Sequence, residues 1–263
     1  MADKRAVALT IAGSDPSGGA GLQADLKTFH QFGVYGEAVI TVITAQNTTC
    51  IDRIECLDPA LVSDQIRSVL RDIPPAAAKL GALGCRGIIE AVAAAAKSFD
   101  FPLVVDPVMI SKHGIPLLKD DGIQALREML IPLAYLLMPN LPEAEVLAGI
   151  QVDDDASMRE AARRLVGGGA RNVLIKGGHL NGAPLDILLH DGEWFEFPSE
   201  RVVTRHTHGT GCTHSAAITA SLAQGKDLPA AVQTAKLYIQ ECIRSAPGIG
   251  HGFGPVNHFA QTA

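Results

Sequence analysis

An α/β fold with a central, mostly parallel sheet is predicted by three features of this 263-residue sequence. Short apolar runs of strand length alternate with longer segments of helical periodicity over most of the chain. Several of those runs open through small-residue or glycine-containing loops directly into a helix, which places the loops at the carboxyl edge of a sheet. No internal repeat, linker or charge block interrupts the pattern, so one domain over residues 1–263 is expected.

Composition narrows the partners. Apolar residues make up 47% and charged residues 19%, enough to fill a core. The formal charge of −6 supplies no basic field for nucleic acid, so any phosphate binding has to be local. The five cysteines (Cys50, Cys56, Cys85, Cys212 and Cys242) are odd in number and form no CxxC pair. They argue against a disulfide framework or a zinc site and for a reducing compartment. The first apolar run follows Asp3-Lys4-Arg5 and is cut short by Gly13 and Asp15-Pro16. Neither a signal peptide nor a membrane span is expected, and the location predicted is cytoplasmic.

Residues 6–11 form the first predicted strand, opening into a small-residue loop, 12–21, that carries Gly13 and Asp15. The helix that follows has Leu22, Leu26, Phe29 and Phe32 on one face and stops at Gly33. The loop fits neither G-x-G-x-x-G nor G-x-x-x-x-G-K-[ST], which sets aside the usual dinucleotide and P-loop folds. Residues 38–44, rich in β-branched side chains, form the second strand and deliver Gln46, an amide suited to reading a ligand edge or to satisfying loop backbone. Residues 53–57 suggest a short extra strand. Asp58-Pro59 then pairs an N-cap with a proline at the first helical position, and Pro74-Pro75 ends that helix.

Strand 78–83 and helix 88–99 come next, then strand 103–106, which ends in Asp106-Pro107-Val108-Met109. A carboxylate there is fixed by the sheet and exposed by the loop, a placement that suits chemistry and equally suits capping the turn. A helix over 122–130 and a strand over 135–138 lead to Asn140 and, three residues on, Glu143. That spacing is a capping box, which accounts for both residues without a ligand. After a helix over 158–166, strand 172–179 presents Lys176 ahead of two glycines. A lysine closing an apolar strand is costly unless it emerges beside an anion, so Lys176 is read as a phosphate ligand. Residues 185–190 and 193–197, joined by Asp191-Gly192, form a β-hairpin that breaks the rhythm and belongs at an antiparallel edge. A last helix covers 229–246.

The stretch His208-Gly209-Thr210-Gly211-Cys212-Thr213 introduces a helix of small residues. A glycine turn feeding a helix N-terminus aims free N–H groups and the positive end of the helix dipole at one spot, an anion site. The same field is expected to lower the pKa of Cys212 and enrich its thiolate, so that one loop supplies both anion hole and base. The plain alternative is a turn before a core helix with a buried cysteine.

Together these blocks resemble the hydroxymethylpyrimidine/phosphomethylpyrimidine kinases of thiamine biosynthesis, in the ribokinase-like superfamily. The likeness is carried by residues 9–15 and 17–28, 44–48, 105–109, 139–145, 176–179 and 208–213, nearly end to end. It implies a ribokinase-like three-layer sandwich with ATP and a pyrimidine meeting over the carboxyl edge of the sheet. By the same resemblance, Gly13 contacts the substrate hydroxymethyl group through its main chain, in one substrate loop with Asp15. Gln46 reads the ring and its amino group, and Val108 forms pocket wall. Asn140 and Glu143 match the N-x-x-E element that organises Mg²⁺ and phosphate through water, and Lys176 matches the lysine reaching the ATP phosphates. Asp106 and Thr210 fall on the nucleotide side. Cys212 takes the position of the base, with Gly209 and Gly211 in its anion hole. Two positions depart from the family pattern: Ala82, where methionine is common, and His214, where an apolar residue is usual. The implied reaction is ATP-dependent phosphorylation of 4-amino-5-hydroxymethyl-2-methylpyrimidine and then of its monophosphate, by a homodimer. A pyridoxal or pyridoxamine kinase and a non-catalytic pyrimidine-binding regulator are the alternatives.

Overall fold

The computed structural model describes residues 5–261 apart from His179 and Asn181. His179, at the end of the Lys-Gly-Gly-His block, and the first four residues lie outside the described residues. Among the described residues one nine-stranded sheet runs in the order β3-β2-β1-β4-β5-β6-β7-β8-β9. Its strands are β1 (Val7–Ser14), β2 (Tyr35–Gln46), β3 (Ile51–Cys56), β4 (Ala77–Leu80), β5 (Leu103–Val105), β6 (Leu136–Leu137), β7 (Val173–Ile175), β8 (Leu185–His190) and β9 (Glu193–Pro198). The six from β2 to β7 pair in parallel, while β3 at one edge and the β8–β9 hairpin at the other are antiparallel. The chain adds β2 on one side of β1 and β4 on the other, so strand order reverses beside β1, the place where open α/β sheets bind ligands.

The eight helices among the described residues are α1 (Gly21–Gln31), α2 (Pro59–Asp72), α3 (Arg86–Ala96), α4 (Asp120–Ala125), α5 (Leu141–Ala148), α6 (Asp155–Gly167), α7 (Thr210–Ala223) and α8 (Leu228–Arg244). Side chains alternate across the strands, as a period of two requires. Leu9, Ile11, Ala78, Leu80, Val105 and Ile175 face a core shared with α2 to α6, while Ala8, Ala77, Val104 and Leu174 face one shared with α1, α7 and α8. The result is the three-layer sandwich. Helix α7 is buried along nearly its whole length, which is why most of its residues are Ala, Ser and Thr: larger side chains throughout would hold the sheet and α8 apart.

Several boundaries differ from the sequence reading, among them β1, which runs on to Ser14, and β7, which ends at Ile175 so that Lys176 and Gly177 lie beyond it; three others have a clear physical reason. Strand β2 starts at Tyr35 because Tyr35, Gly36 and Glu37 pair with Val7, Ala8 and Leu9, outside the apolar run. Helix α4 stops at Ala125 and passes into a π turn, Leu126–Leu130, and a 3₁₀ turn, Ile131–Leu133. Pro132 lacks the N–H that a continuing helix would need. Strand β4 ends at Leu80, so Gly81 and Ala82 leave the sheet at the reversal point.

Candidate active site

Loops from the carboxyl ends of β1, β2, β5, β6 and β7 meet the N-terminus of α7. In the β1–α1 loop Asp15 is a tie rather than a free ligand. Its carboxylate accepts from the Ser17 N–H (2.8 Å) and hydroxyl (2.9 Å) and from the Gly19 (3.2 Å) and Ala20 (2.8 Å) N–H groups. His208 Nε2 lies 2.8 Å from the same carboxylate and must carry a proton to bond it. Burial would raise the Asp15 carboxyl, but the His208 and Ser17 bonds outweigh it and hold it down at about 2. The loop is thereby locked to the stretch that precedes α7. Gly209 completes the contact with a left-handed backbone (φ 80°), and a Cβ there would run into the Gly19 carbonyl.

The expected contact of Asp15 with substrate is therefore replaced by a positioning role: its side chain is 2% exposed and both oxygens are taken. Gly13 sits at a bulge in β1 where a Cβ would find only ordinary contact with Val42 and Ala82. Gly13 itself is buried, packed against Val42, Ala82 and Gly21. Gln46 ends β2, half-buried, and among the described residues its amide makes no side-chain hydrogen bond. Val108 is half-buried beside Gly81, Asp106 and Pro107, around a small cavity.

On the other side, Asp106 and Lys176 find each other across the sheet. Lys176 Nζ donates to Asp106 Oδ1 at 2.6 Å, and the carboxylate is 2% exposed. Burial pulls the Lys176 ammonium down, but Asp106 and Glu143 outweigh it and hold it above its usual range. Here, then, is the anion that a strand-end lysine requires. Gly211 lies directly over the pair: a Cβ would stand 3.4 Å from Asp106 Oδ2 and 3.7 Å from Lys176 Nζ. Thr210 opens α7, its hydroxyl bonded to the Thr207 carbonyl at 2.7 Å.

Asn140 and Glu143 form the reciprocal capping box of α5, with both bonds at 2.9 Å. Burial pushes the Glu143 carboxyl up to about 7, against the pull of Lys176. A buried acid in that state gains from a nearby cation, and its capping bonds leave that possibility open to the same side chain. Among the described residues no group of three or more His, Cys, Asp or Glu is arranged to hold a bare ion. The donor set fits a hydrated Mg²⁺ held through one carboxylate and substrate phosphates.

Cys212, in the first turn of α7, overturns one expectation. Burial pushes its thiol up to about 11. Lys79 and the Gly21 amide pull it back, while Asp25 and Asp106 add to the rise. Desolvation and two carboxylates exceed the field of one helix end. Beneath it lies a buried group that motif reading missed: Lys79 Nζ donates to both oxygens of Asp25 (2.9 and 3.0 Å), which also accepts from Thr10 Oγ1 at 2.6 Å. Its signal in the sequence is the one used for Lys176, a lysine inside an apolar strand. His214 is 3% exposed and its Nε2 has no hydrogen-bond partner among the described residues. Burial lowers its imidazole to about 4, so it packs as a neutral ring.

The sequence matches the phosphomethylpyrimidine kinase family over residues 15–257. The hydroxymethylpyrimidine/phosphomethylpyrimidine kinase of Haemophilus influenzae is 49% identical, with 97% of each chain covered. The thiamine biosynthesis bifunctional protein ThiED of Geobacter sulfurreducens is 49% identical over 97% of this chain, which spans 52% of that longer protein. Among solved structures, the ADP complex of Bacillus subtilis pyridoxal kinase superposes with a TM-score of 0.91, at 39% identity over 98% of each chain. With the superfamily's sheet and a family match over nearly its whole length, this chain belongs to the phosphomethylpyrimidine kinases.

Proposed function

We propose that the protein phosphorylates 4-amino-5-hydroxymethyl-2-methylpyrimidine with ATP, and then the resulting monophosphate, in one site. The observation that carries this reading is the convergence of Gly211 on the Asp106–Lys176 pair, with Glu143 alongside, at the N-terminus of α7. Backbone N–H groups of the turn and the Lys176 ammonium face the position where the transferred phosphoryl group gathers negative charge. Gln46 and the Gly13 backbone, from β2 and β1, hold the ring across the strand reversal.

In the first reaction the alcohol oxygen bonds to the γ-phosphorus, the bridging oxygen leaves with ADP, and the alcohol proton passes to the thiolate form of Cys212, the minor form at neutral pH with the thiol pushed up to about 11. Mg²⁺, bound through water at Glu143, would neutralise the polyphosphate. Asp106 keeps Lys176 oriented until phosphate oxygens arrive. In the second reaction the acceptor is already ionised near neutral pH and needs no proton removed.

The likeness to a pyridoxal kinase favours one second reading, phosphorylation of pyridoxal, whose CH₂OH also sits beside a heteroaromatic edge. A coupled ADP-release assay with hydroxymethylpyrimidine, its monophosphate and pyridoxal separates the readings. Turnover of pyridoxal alone overturns the proposal, and no turnover of any substrate removes the kinase reading. A homodimer and a cytoplasmic location accompany the proposal and are read by sedimentation and by fractionation. Among the described residues no helix is long and apolar enough to cross a membrane.

A further inference from the structure

Beyond Val108, the arm between β5 and α4 has no part in the steps above. It leaves the sheet at Asp106 and folds back through a bridge between Ile110 and Pro116. The tip is closed by Ser111 N–H to the Ile115 carbonyl (2.9 Å), Gly114 N–H to the Ser111 carbonyl (3.0 Å) and Ile115 N–H to Ser111 Oγ (3.0 Å). This holds Lys112 and His113 at a fixed turn. Opposite them stands Phe253, in the tail after α8: Lys112 Nζ lies 5.3 Å from its ring centroid, and the His113 ring 5.7 Å. Phe253 is tied in turn to the loop after β2. Its N–H donates to the Thr48 carbonyl (2.8 Å), and the Gly252 N–H donates to the Thr48 hydroxyl (3.2 Å). Thr48 is two residues beyond Gln46. Arm, tail and β2 loop thus meet next to the end of β2, on the side of Gln46, whereas Glu143 lies in α5 and Lys176 follows β7.

The charges on that side matter for the second reaction. A phosphomonoester brings a charge of about −1.5 to −2 into a site already holding Asp15, Asp25, Asp106 and Glu143. Two nearby lysines are committed, Lys79 to Asp25 and Lys176 to Asp106. Among the described residues Lys112, an exposed side chain, has no carboxylate partner, and partial desolvation, unopposed by any anion, pulls its ammonium down. His113 Nε2 is buried without a hydrogen-bond partner. An unpaired cation beside an unpaired ring nitrogen is the donor set a phosphate oxygen cluster completes.

We infer that Lys112 and His113 form the subsite that receives the phosphomonoester of the second substrate. The inference rests on the two-step reading. It adds that discrimination between the alcohol and its monophosphate resides in the β5–α4 arm.

Lys112→Met and His113→Asn in the full chain test it, each assayed with both substrates and titrated calorimetrically with the monophosphate. Loss of one charge-assisted contact should lower kcat/KM for the monophosphate about tenfold to a hundredfold relative to that for the alcohol, mainly through KM. Calorimetric affinity for the monophosphate should fall by a similar factor. Equal effects on both substrates, or none, overturn the subsite. Failure of the wild type to turn over the monophosphate would instead overturn the second step of the proposed function, and the calorimetric comparison would still decide the subsite. A variant with lost secondary structure is replaced by Lys112→Gln, which keeps a polar head and removes the charge.

Discussion

Asp15→Asn should separate the loop-locking role of this residue from any direct role in chemistry. The substitution keeps the shape and one acceptor oxygen but removes the charge that four N–H and O–H donors and His208 converge on. The carboxyl stands at about 2 in the folded protein against 3.8 for an unperturbed aspartate. At 1.36 kcal/mol per pKa unit that difference is worth about 2 kcal/mol of folding stability. Because the folded pKa is the lower one, the unfolded chain binds more protons between the two values. The contribution is therefore complete above about pH 4 and is lost as pH falls through 2. Urea unfolding of wild type and variant at steps from pH 7 to pH 2 measures it. The difference between the two proteins should be about 2 kcal/mol at neutral pH and shrink towards zero at the acid end, while other carboxylates cancel. A difference that stays constant with pH would refute the reasoning. Turnover in the variant should fall with both substrates, since the β1–α1 loop and the start of α7 are released together.

Four further outcomes follow from the site. Cys212→Ala should lower kcat for the alcohol by roughly 10²–10⁴, as for loss of a general base, and affect the monophosphate far less; equal losses would remove proton transfer from the account. With the thiol pushed up to about 11, only the deprotonated form accepts a proton, so wild-type turnover of the alcohol should climb with pH towards that value, and a plateau at neutral pH would contradict it. Glu143→Gln keeps an acceptor for the Asn140 N–H, so the melting temperature should hold while the Mg²⁺ concentration for half-maximal activity rises; an unchanged Mg²⁺ titration leaves only the capping role. Lys79→Met leaves the Asp25 carboxylate buried without its cation and should cost about 3–5 kcal/mol, measured by denaturant unfolding, and a variant as stable as wild type would show the pair to be dispensable.

Local signals in the sequence were reliable where local physics decides. Asp58 caps α2 through the Ala60 N–H, and the Asn140–Glu143 box forms as its spacing requires, because each needs only residues within one turn. The Asp191-Gly192 turn closes the β8–β9 hairpin for the same reason: Asp191 takes φ 48° and Gly192 φ 85°. The lysine at the end of β7 was legible as a residue in need of an anion. That its partner in this structure is Asp106, 70 positions away, is a product of strand order, with β5 and β7 flanking β6. The break of α4 into a π turn was hidden because Leu126 and Leu130 keep helical spacing through it.

Charge state was the least legible property, and Cys212 shows why. Its sequence neighbourhood contains one electrostatic influence, the N-terminus of α7, and that influence favours thiolate. Its surroundings in space contain Asp25 from α1, Asp106 from the end of β5 and Lys79 from β4, all brought in by topology. Burial multiplies the effect of each, since charge interactions strengthen as water is excluded. The sum reverses the sign of the shift. The same holds for Asp15, whose neighbours in sequence are small and neutral but whose strongest partner, His208, lies 193 residues on. A motif therefore names the groups that can do chemistry, whereas their protonation depends on which distant elements the sheet places against them. The two carboxylate–lysine pairs of the site, Asp25–Lys79 and Asp106–Lys176, join different strands or a strand and a helix, so the charge pattern of the site exists only once the sheet is assembled.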